Sequence, residues 1–246
     1  MQAIISIMEN NIRKRLDNLR RAMKAGGDPE RAVNEKRYLK SPFRFFGTSL
    51  PFTEKTAKAF RKENPDSDRK SVVWLSESLW ASQYHDEKRL ALRILQCYPE
   101  YLDLSLMPML EAMLMDSPTW DLVDDISIHL VGAVLEKEGK AYSYLKQWSG
   151  SENFWMRRAS LISQILLLRR GRGDKALFFR CAEKMTGDKE FFIRKAIGWG
   201  IREMSKTDQA GAFDFLMKIR VRASGLTLRE GAKRLPEEMR KTILQK

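Results

Sequence analysis

The chain has 246 residues, of which 43% are hydrophobic and 31% are charged, so it can bury a substantial core. Its uninterrupted apolar runs are no longer than four residues, as at 165–168, which excludes a membrane span. The formal net charge of +13, from 45 Lys and Arg against 32 Asp and Glu, favours a polyanionic partner such as nucleic acid, although it also suits simple solubility.

The charge is unevenly distributed along the chain. Residues 1–60 hold 13 basic and 6 acidic side chains, a net of +7, and residues 151–246 hold 22 and 11, a net of +11. Residues 101–150 hold 3 basic and 8 acidic side chains, a net of −5. Two basic flanks therefore enclose an acidic middle, which is either solvated surface or a place where carboxylates act.

The sequence has few residues suited to metal binding, to histidine-based catalysis or to nucleotide binding. The chain has two histidines and two cysteines, too few for a metal cluster or a histidine-based triad, and no phosphate-binding glycine motif is present. We therefore expect no metal and no cofactor. The separated cysteines suit a reducing compartment, and the start of the chain lacks the basic leader of a signal peptide, so we expect a cytoplasmic protein.

The apolar spacing predicts successive helices with short polar breaks. Asp28 and Pro29 are typical of a helix start, and Asp188 is the predicted cap of the helix that follows it. The predicted helices cover about residues 10–25, 29–39, 53–62, 70–82, 87–97, 104–115, 119–136, 143–148, 154–169, 177–185, 189–204, 208–217 and 228–244.

This order of elements predicts an all-α fold. Helices of this length with short connections form antiparallel pairs, and stacked pairs of about 40 residues are typical of HEAT-like solenoids. We expect one HEAT-like repeat domain over residues 1–246, with a concave basic face that could grip duplex DNA.

Three segments carry candidate functional residues. In the first, Trp120 and Asp124 are one helical turn apart, which places an indole and a carboxylate on one face, while Leu122, Val123 and Ile126 are better placed to point inward. The alternative is that Trp120 packs at a helix start and the aspartates favour its dipole.

The second segment combines an apolar stripe with two adjacent arginines. Trp155, Ala159, Ile162 and Leu166 form the stripe, and Arg157 and Arg158 lie beside it. The arginines could clamp phosphates, or they could be surface side chains that lie over apolar neighbours.

The third segment places Lys195, Trp199 and Arg202 on one helical face. Gly198 and Gly200 flank the tryptophan, and glycine costs about 1 kcal/mol within a helix. Two glycines therefore predict that another helix or a ligand approaches this backbone closely. A tryptophan among cations is typical of a nucleic-acid surface, although a core tryptophan is more common.

Together these segments resemble the AlkD-like DNA glycosylases of the DNA alkylation repair family. The most specific matches are WDLVD at 120–124, FWMRRASLISQ at 154–164 and KEFFIRKAIGWGIREMSKTD at 189–208. Weaker similarity lies in RYLKSPFRFFG at 37–47 and LWASQYHDEKRLAL at 79–92. The resemblance implies a HEAT-like solenoid that excises N3- and N7-alkylated purines from duplex DNA without burying the flipped base in a tight pocket.

The resemblance also implies roles for individual residues. Asp124 matches the catalytic carboxylate, Trp120 and Trp199 match the aromatic pair at the lesion, and Arg158 and Tyr38 match DNA contacts. To these contacts we add Arg157, Lys195 and Arg202 as candidate DNA-binding residues from the positions described above. The chain departs from the family pattern at Thr119, where a tryptophan is frequent, and at Gly200, where alanine is usual.

We therefore expect a monomeric DNA-alkylpurine glycosylase with alkylated duplex DNA as its partner. Asp124 would stabilise the oxocarbenium-like sugar and position water. The alternatives are a HEAT-repeat protein that binds distorted or branched DNA without catalysis, and a helical scaffold that binds proteins.

Overall fold

The computed structural model describes residues 2–245, with side chains from residue 10 onward. Within this range there is no β-strand, and the prediction of an all-α fold is confirmed. Contacts between residues divide the chain into two compact units, Met1–Leu102 and Asp103–Lys246. None of the helices in the described range is long and apolar enough to cross a membrane.

The first unit contains five α-helices and one 3-10 turn. They are α1 (Gln2–Ala25), α2 (Pro29–Leu39), α3 (Leu50–Glu63), α4 (Arg69–Trp80), α5 (His85–Gln96) and the turn Pro99–Tyr101. Helix α5 packs against α3 and α4, and it contributes Leu90, Leu92 and Ile94 to the core with no exposed surface.

The second unit contains the remaining helices, interrupted by one π-helical segment. They are 3-10 turn Leu104–Leu106, α6 (Met107–Asp116), α7 (Trp120–Asp125), the π segment (Ile126–Val131), α8 (Gly132–Lys137), 3-10 turn Gly139–Ala141, α9 (Tyr142–Trp148), α10 (Phe154–Ile162), α11 (Ile165–Arg169), α12 (Lys175–Lys184), α13 (Phe191–Met204), α14 (Gln209–Ile219), α15 (Gly225–Ala232) and α16 (Glu237–Leu244). Helix α13 packs against α10, α11 and α15.

Short polar side chains begin many of these helices, as their sequence positions predict. The Asp28 carboxylate accepts a hydrogen bond from the Arg31 amide at 3.0 Å, with Pro29 in the first turn of α2. The Asp208 carboxylate does the same for the Gly211 amide at 2.9 Å. Such caps satisfy amides that have no partner within the helix.

The predicted cap at Asp188 is wrong. Helix α13 begins at Phe191, and Glu190 stands at its N-cap position without a capping side-chain bond. The Asp188 carboxylate instead accepts from the Glu190 amide at 2.9 Å and forms an ion pair with Arg157. The aspartate stabilises the turn before the helix rather than the helix itself.

Two predicted helices are each divided in the structure. Residues 154–169 form α10 and α11, with a break at Ser163 and Gln164. Residues 228–244 fall into α15 and α16, because Pro236 has no amide hydrogen and disfavours the α conformation of the residue before it. The apolar period continues across both breaks, which explains why spacing alone did not reveal them.

The loop between α2 and α3, residues 41–49, is fixed by buried polar groups at the start of α5. Asp86, with no exposed surface, accepts hydrogen bonds from the amides of Phe46 at 2.8 Å and Thr48 at 2.7 Å, and from the Thr48 hydroxyl at 2.8 Å. Gly47 adopts a φ of 81°, and a Cβ there would lie 2.1 Å from the carbonyl oxygen of Asp28. The loop is therefore held in one conformation without regular secondary structure.

Candidate functional site

Helix α7 presents a polar face and an apolar face, as its sequence predicts. Leu122, Val123 and Ile126 have 1% or less of their surface exposed. Trp120 and Asp124, one turn apart, are both partly exposed. The predicted inward orientation of these three residues is therefore confirmed, and the indole and the largely buried carboxylate share the other, partly exposed side of the helix.

The Asp124 carboxylate is bound by the guanidinium of Arg158 in a two-pronged ion pair. Arg158 Nε donates to Asp124 Oδ1 at 2.7 Å, and Arg158 Nη2 donates to Asp124 Oδ2 at 2.7 Å. The Arg158 side chain is only 3% exposed, whereas that of Asp124 is 14% exposed. This geometry matches the fork of the guanidinium to both carboxylate oxygens and fixes the orientation of Asp124.

The same arginine joins α7 and α10 to the start of α13. Its Nη1 donates to the backbone carbonyl of Phe192 at 2.7 Å, and its guanidinium lies 5.5 Å from the centre of the Phe192 ring. Arg158 on α10 therefore links the carboxylate on α7 to the first turn of the helix that carries Trp199. The sequence predicted a phosphate contact for Arg158, but the structure gives its guanidinium these protein acceptors instead.

Burial and charge act on Asp124 in opposite directions. Desolvation raises the pKa of this carboxyl, and the hydrogen bonds and positive charge of Arg158 lower it. The nearby carboxylates of Asp121 and Asp125 add a further upward contribution, and the net shift is upward from the value of an ordinary aspartate. Perturbed carboxyl groups at partly exposed positions are candidates for functional sites.

A π-helical segment begins at Ile126, two residues after Asp124. Its last bond runs from the amide of Gly132 to the carbonyl of Ser127, five residues back. A Cβ at Gly132 would lie 2.8 Å from the carbonyl oxygen of Ser163, so only glycine allows this approach to the end of α10. Single π turns inside helices occur frequently at functional sites.

A cluster of aromatic rings adjoins Arg158 through Phe192. Trp155 lies 4.2 Å from Phe154 and 4.9 Å from Phe192, measured between ring centres. Phe191 meets Phe192 edge to face at 5.3 Å and is itself 53% exposed. The Phe192 ring helps to cover the guanidinium, which is 3% exposed, and a low exposure strengthens its interaction with Asp124.

The glycines beside Trp199 are explained by packing between helices. A Cβ at Gly198 would lie 2.8 Å from the carbonyl oxygen of Thr227 on α15, and one at Gly200 would lie 2.3 Å from the ring of Phe178 on α12. The close approach that the sequence predicted is therefore made by other helices. Trp199 itself remains partly exposed between these two contacts.

We expect Gly200→Ala to lower the free energy of unfolding. The added methyl group would overlap the fully buried ring of Phe178, and overpacking of this kind costs about 1–3 kcal/mol, more than the ~1 kcal/mol gained in helix propensity. Urea unfolding measures the loss. Gly139→Ala is the matched control, since nothing lies within 4 Å of a Cβ there, and Phe178→Leu should offset much of the loss in a double variant. Equal stability of Gly200→Ala and wild type would contradict this explanation.

The other predicted site residues have various environments. Arg157 bonds to Asp188 at 3.0 Å and to the carbonyls of Ser151 and Glu152. Arg202 pairs with Glu230 on α15 and lies 3.6 Å from Glu203. Both arginines are therefore engaged by protein groups, although 20% and 19% of their side chains remain exposed.

Lys195 and Tyr38 are the exposed members of the predicted set. The Lys195 ammonium lies 5.8 Å from the centre of the Phe191 ring. Tyr38, on α2 of the first unit, is 73% exposed. Within the second unit, Trp199 is seven residues along α13 from the Phe192 carbonyl that Arg158 binds, a distance of about 10 Å along the helix axis.

Sequence reasoning did not identify Phe191, Phe192 or the pairing of Arg158 with Asp124. The two phenylalanines lie in a segment that the sequence predicts to be helical, and nothing in the sequence showed that Phe191 is exposed. The adjacent arginines suggested cations at a surface. Only the proximity of α7 and α10 in the structure shows that Arg158 forms an ion pair with the Asp124 carboxylate.

Comparisons with solved structures show the fold. A predicted DNA alkylation repair enzyme from Enterococcus faecalis matches with a TM-score of 0.78 and 24% identity, over 86% of this chain and 97% of that one. The smu.31 protein of Streptococcus mutans matches with a TM-score of 0.60 and 17% identity, over 87% and 100% of the two chains. AlkD2 from Streptococcus mutans matches with a TM-score of 0.60 and 14% identity, over 83% and 97%.

The family comparison covers most of the sequence. No curated protein matches the chain. The family model described as DNA alkylation repair enzyme matches residues 19–235, a stretch that runs through both units and includes Asp124, Arg158 and Trp199. On this match, the chain belongs to the DNA alkylation repair enzyme family.

Proposed function

We propose that the protein is a DNA glycosylase that hydrolyses the N-glycosidic bond of N3- or N7-alkylated purines. The observation that carries the proposal is the carboxylate of Asp124, fixed by two 2.7 Å hydrogen bonds from buried Arg158 and still 14% exposed. Membership of a DNA alkylation repair family supports DNA as the substrate.

The proposed reaction suits a site without a general acid. Alkylation at N3 or N7 makes the purine cationic, so the base takes the electron pair of the C1′–N bond and leaves as a neutral molecule without protonation. The sugar passes through an oxocarbenium-like state, to which the Asp124 carboxylate supplies compensating negative charge. A water oxygen then bonds to C1′, and its proton passes to Asp124 or to solvent.

The ion pair with Arg158 still allows the Asp124 carboxylate to contact water or a sugar. A carboxylate has about four lone-pair sites, and Arg158 occupies one on each oxygen. The remaining sites can accept from water or face the sugar. In this proposal Arg158 is a positioning residue, which keeps Asp124 ionised and oriented, since a guanidinium that is 3% exposed offers little surface to a phosphate.

Aromatic and basic side chains provide the other proposed contacts. The partly exposed indoles of Trp120 and Trp199 would place π faces against the cationic nucleotide, a contact worth about 0.5–2 kcal/mol each. Because a neutral base gains less, the contact contributes selectivity. Lys195, Tyr38 and the exposed edges of Arg157 and Arg202 would contact the DNA backbone.

The decisive experiment is a base-release assay. Purified protein is incubated with methylated duplex DNA, and the released bases are separated by chromatography and identified. We expect 3-methyladenine or 7-methylguanine to accumulate in proportion to enzyme and time. Binding of the duplex with no released base would favour the alternative of a DNA-binding protein without catalysis.

We expect Trp199→Ala to slow the release of cationic 7-methylguanine by about 2- to 30-fold, the range that corresponds to a lost cation–π contact. The affinity for an undamaged duplex should change less than the affinity for a duplex with the cationic lesion, so the ratio of the two affinities measures selectivity. Trp74→Ala on α4 is the control, because it removes another partly exposed indole. An unchanged rate for Trp199→Ala would mean that this tryptophan serves only packing.

A further inference from the structure

The loop between α2 and α3 has a rigid backbone around a single exposed arginine. The Arg44 amide donates to the Gln83 carbonyl at 2.9 Å, and the Arg44 carbonyl accepts from the His85 amide at 2.9 Å. The loop continues to Phe46 and Thr48, whose amides are bound by buried Asp86. Both backbone groups of Arg44 are therefore occupied, by exposed Gln83 on one side and buried His85 on the other.

The neighbours of Arg44 direct its side chain outward. The Phe45 ring stacks on buried His85 at 4.6 Å, and the Lys88 ammonium lies 4.6 Å from the centre of the Phe43 ring. Alternate side chains of an extended segment point to opposite sides. With Phe43 and Phe45 engaged by groups at the start of α5, Arg44 is left exposed.

The charged side chains of the surrounding segment are exposed and all basic. Residues 36–44 hold four cationic side chains and no acidic one, and all four cations are exposed. Among the described residues, no carboxylate forms an ion pair with any of them; Arg37 donates to the amide oxygen of Asn34 at 3.2 Å. The four cations are Lys36, Arg37, Lys40 and Arg44.

We infer that residues 36–44 form a phosphate-binding surface for duplex DNA, with Arg44 as its preorganised contact. A guanidinium suits phosphate oxygens, and a backbone that is already fixed loses little conformational entropy on binding. Charge complementarity with a chain of net charge +13 and membership of a DNA repair family favour nucleic acid as the polyanion. The inference rests on the DNA partner of the proposed function but not on its catalytic step.

The test measures binding of an undamaged, fluorescently labelled duplex by anisotropy at several salt concentrations. The slope of log K against log salt is negative, and loss of one phosphate contact makes it less negative by about 0.9. The same loss weakens binding about fivefold near 0.15 M salt. We expect this result for Arg44→Ala, whereas Arg44→Lys should retain the wild-type slope. Lys62→Ala is the matched control, since it removes one exposed charge from the last turn of α3 in the same unit, and we expect its affinity to stay near that of wild type.

Two results would overturn the inference. One is wild-type affinity and slope for Arg44→Ala, and the other is an equal loss for Lys62→Ala, which would indicate only a dependence on net charge. Failure of wild-type protein to bind any duplex would overturn both this inference and the proposed function. DNA binding that depends on Arg44, without base release, would overturn the glycosylase proposal but would support residues 36–44 as a phosphate-binding surface.

Discussion

Asp124→Asn is expected to slow the release of 7-methylguanine by at least about 100-fold, with DNA affinity close to that of wild type. The amide has nearly the shape of the carboxylate but no negative charge to stabilise an oxocarbenium-like sugar and no basic oxygen to take a proton from water. Single-turnover release and anisotropy of a methylated duplex measure the two quantities. Equal rates for variant and wild type would refute the catalytic role of Asp124.

This variant needs a stability control, because it leaves the Arg158 guanidinium, only 3% exposed, without its counter-charge. Removing one partner of a buried ion pair costs about 3–5 kcal/mol, so the rate must be measured well below the melting temperature. Asp124→Asn combined with Arg158→Gln removes both charges and should recover part of the stability. We expect this double variant to remain inactive, which separates loss of chemistry from loss of fold.

Arg158→Gln alone is expected to lower stability by about 3–5 kcal/mol at neutral pH, because it leaves a carboxylate that is only 14% exposed without its cation. It also removes the bond to the Phe192 carbonyl, so the start of α13 loses a link to α10. Urea unfolding at neutral pH measures the cost. A wild-type free energy of unfolding in this variant would show that the ion pair contributes nothing net.

The pH dependence distinguishes a positioning role for Arg158 from simple packing. Burial already raises the pKa of Asp124, and Arg158 opposes that rise, so Arg158→Gln should raise this pKa further. Because the proposed reaction needs the carboxylate, we expect the acid limb of the rate profile to move to higher pH in the variant. If the acid limb of the rate profile stays at the wild-type pH while stability falls, the role of Arg158 is only structural.

The direction of the stability change follows from the same shift. A carboxyl whose pKa is raised by folding binds its proton more tightly in the folded state, so its stabilising contribution is complete below the unfolded pKa and is lost as pH rises through the folded pKa. In Arg158→Gln the stability deficit against wild type should therefore shrink as the pH falls and Asp124 becomes protonated.

Much of the helical architecture was predictable because its signals are local. Asp28 with Pro29 and Asp208 stand at helix starts where their side chains cap amides, and apolar spacing found the buried face of α7. The missed features depend on contacts distant in sequence or on exceptions to the regular helix. The break at Gln164 and the late start of α13 belong to this group.

Only part of the candidate site was predictable from the sequence. Sequence spacing placed Trp120 and Asp124 on one face, and the family motifs assigned them roles. The partner of Asp124 could not be predicted from sequence, because Arg158 and the neighbouring Arg157 carry the same charge and only their different phases on α10 determine which one reaches the carboxylate. Arg158 faces α7 and α13, whereas Arg157 faces the turn at Asp188.

The π segment after Asp124 has a consequence for how this helix can tolerate insertion or deletion. A residue in a regular helix advances the chain by about 100° of rotation, and the wider turn at 126–131 accommodates one residue more than the regular winding would. Loss of one residue there would rewind the segment to a regular helix and keep the angular position of Asp124 relative to α8, whereas gain of a further residue would rotate Asp124 by about 100° away from Arg158. This stretch should therefore tolerate a deletion better than an insertion, whereas a surface turn such as 170–174 has no comparable phase to preserve.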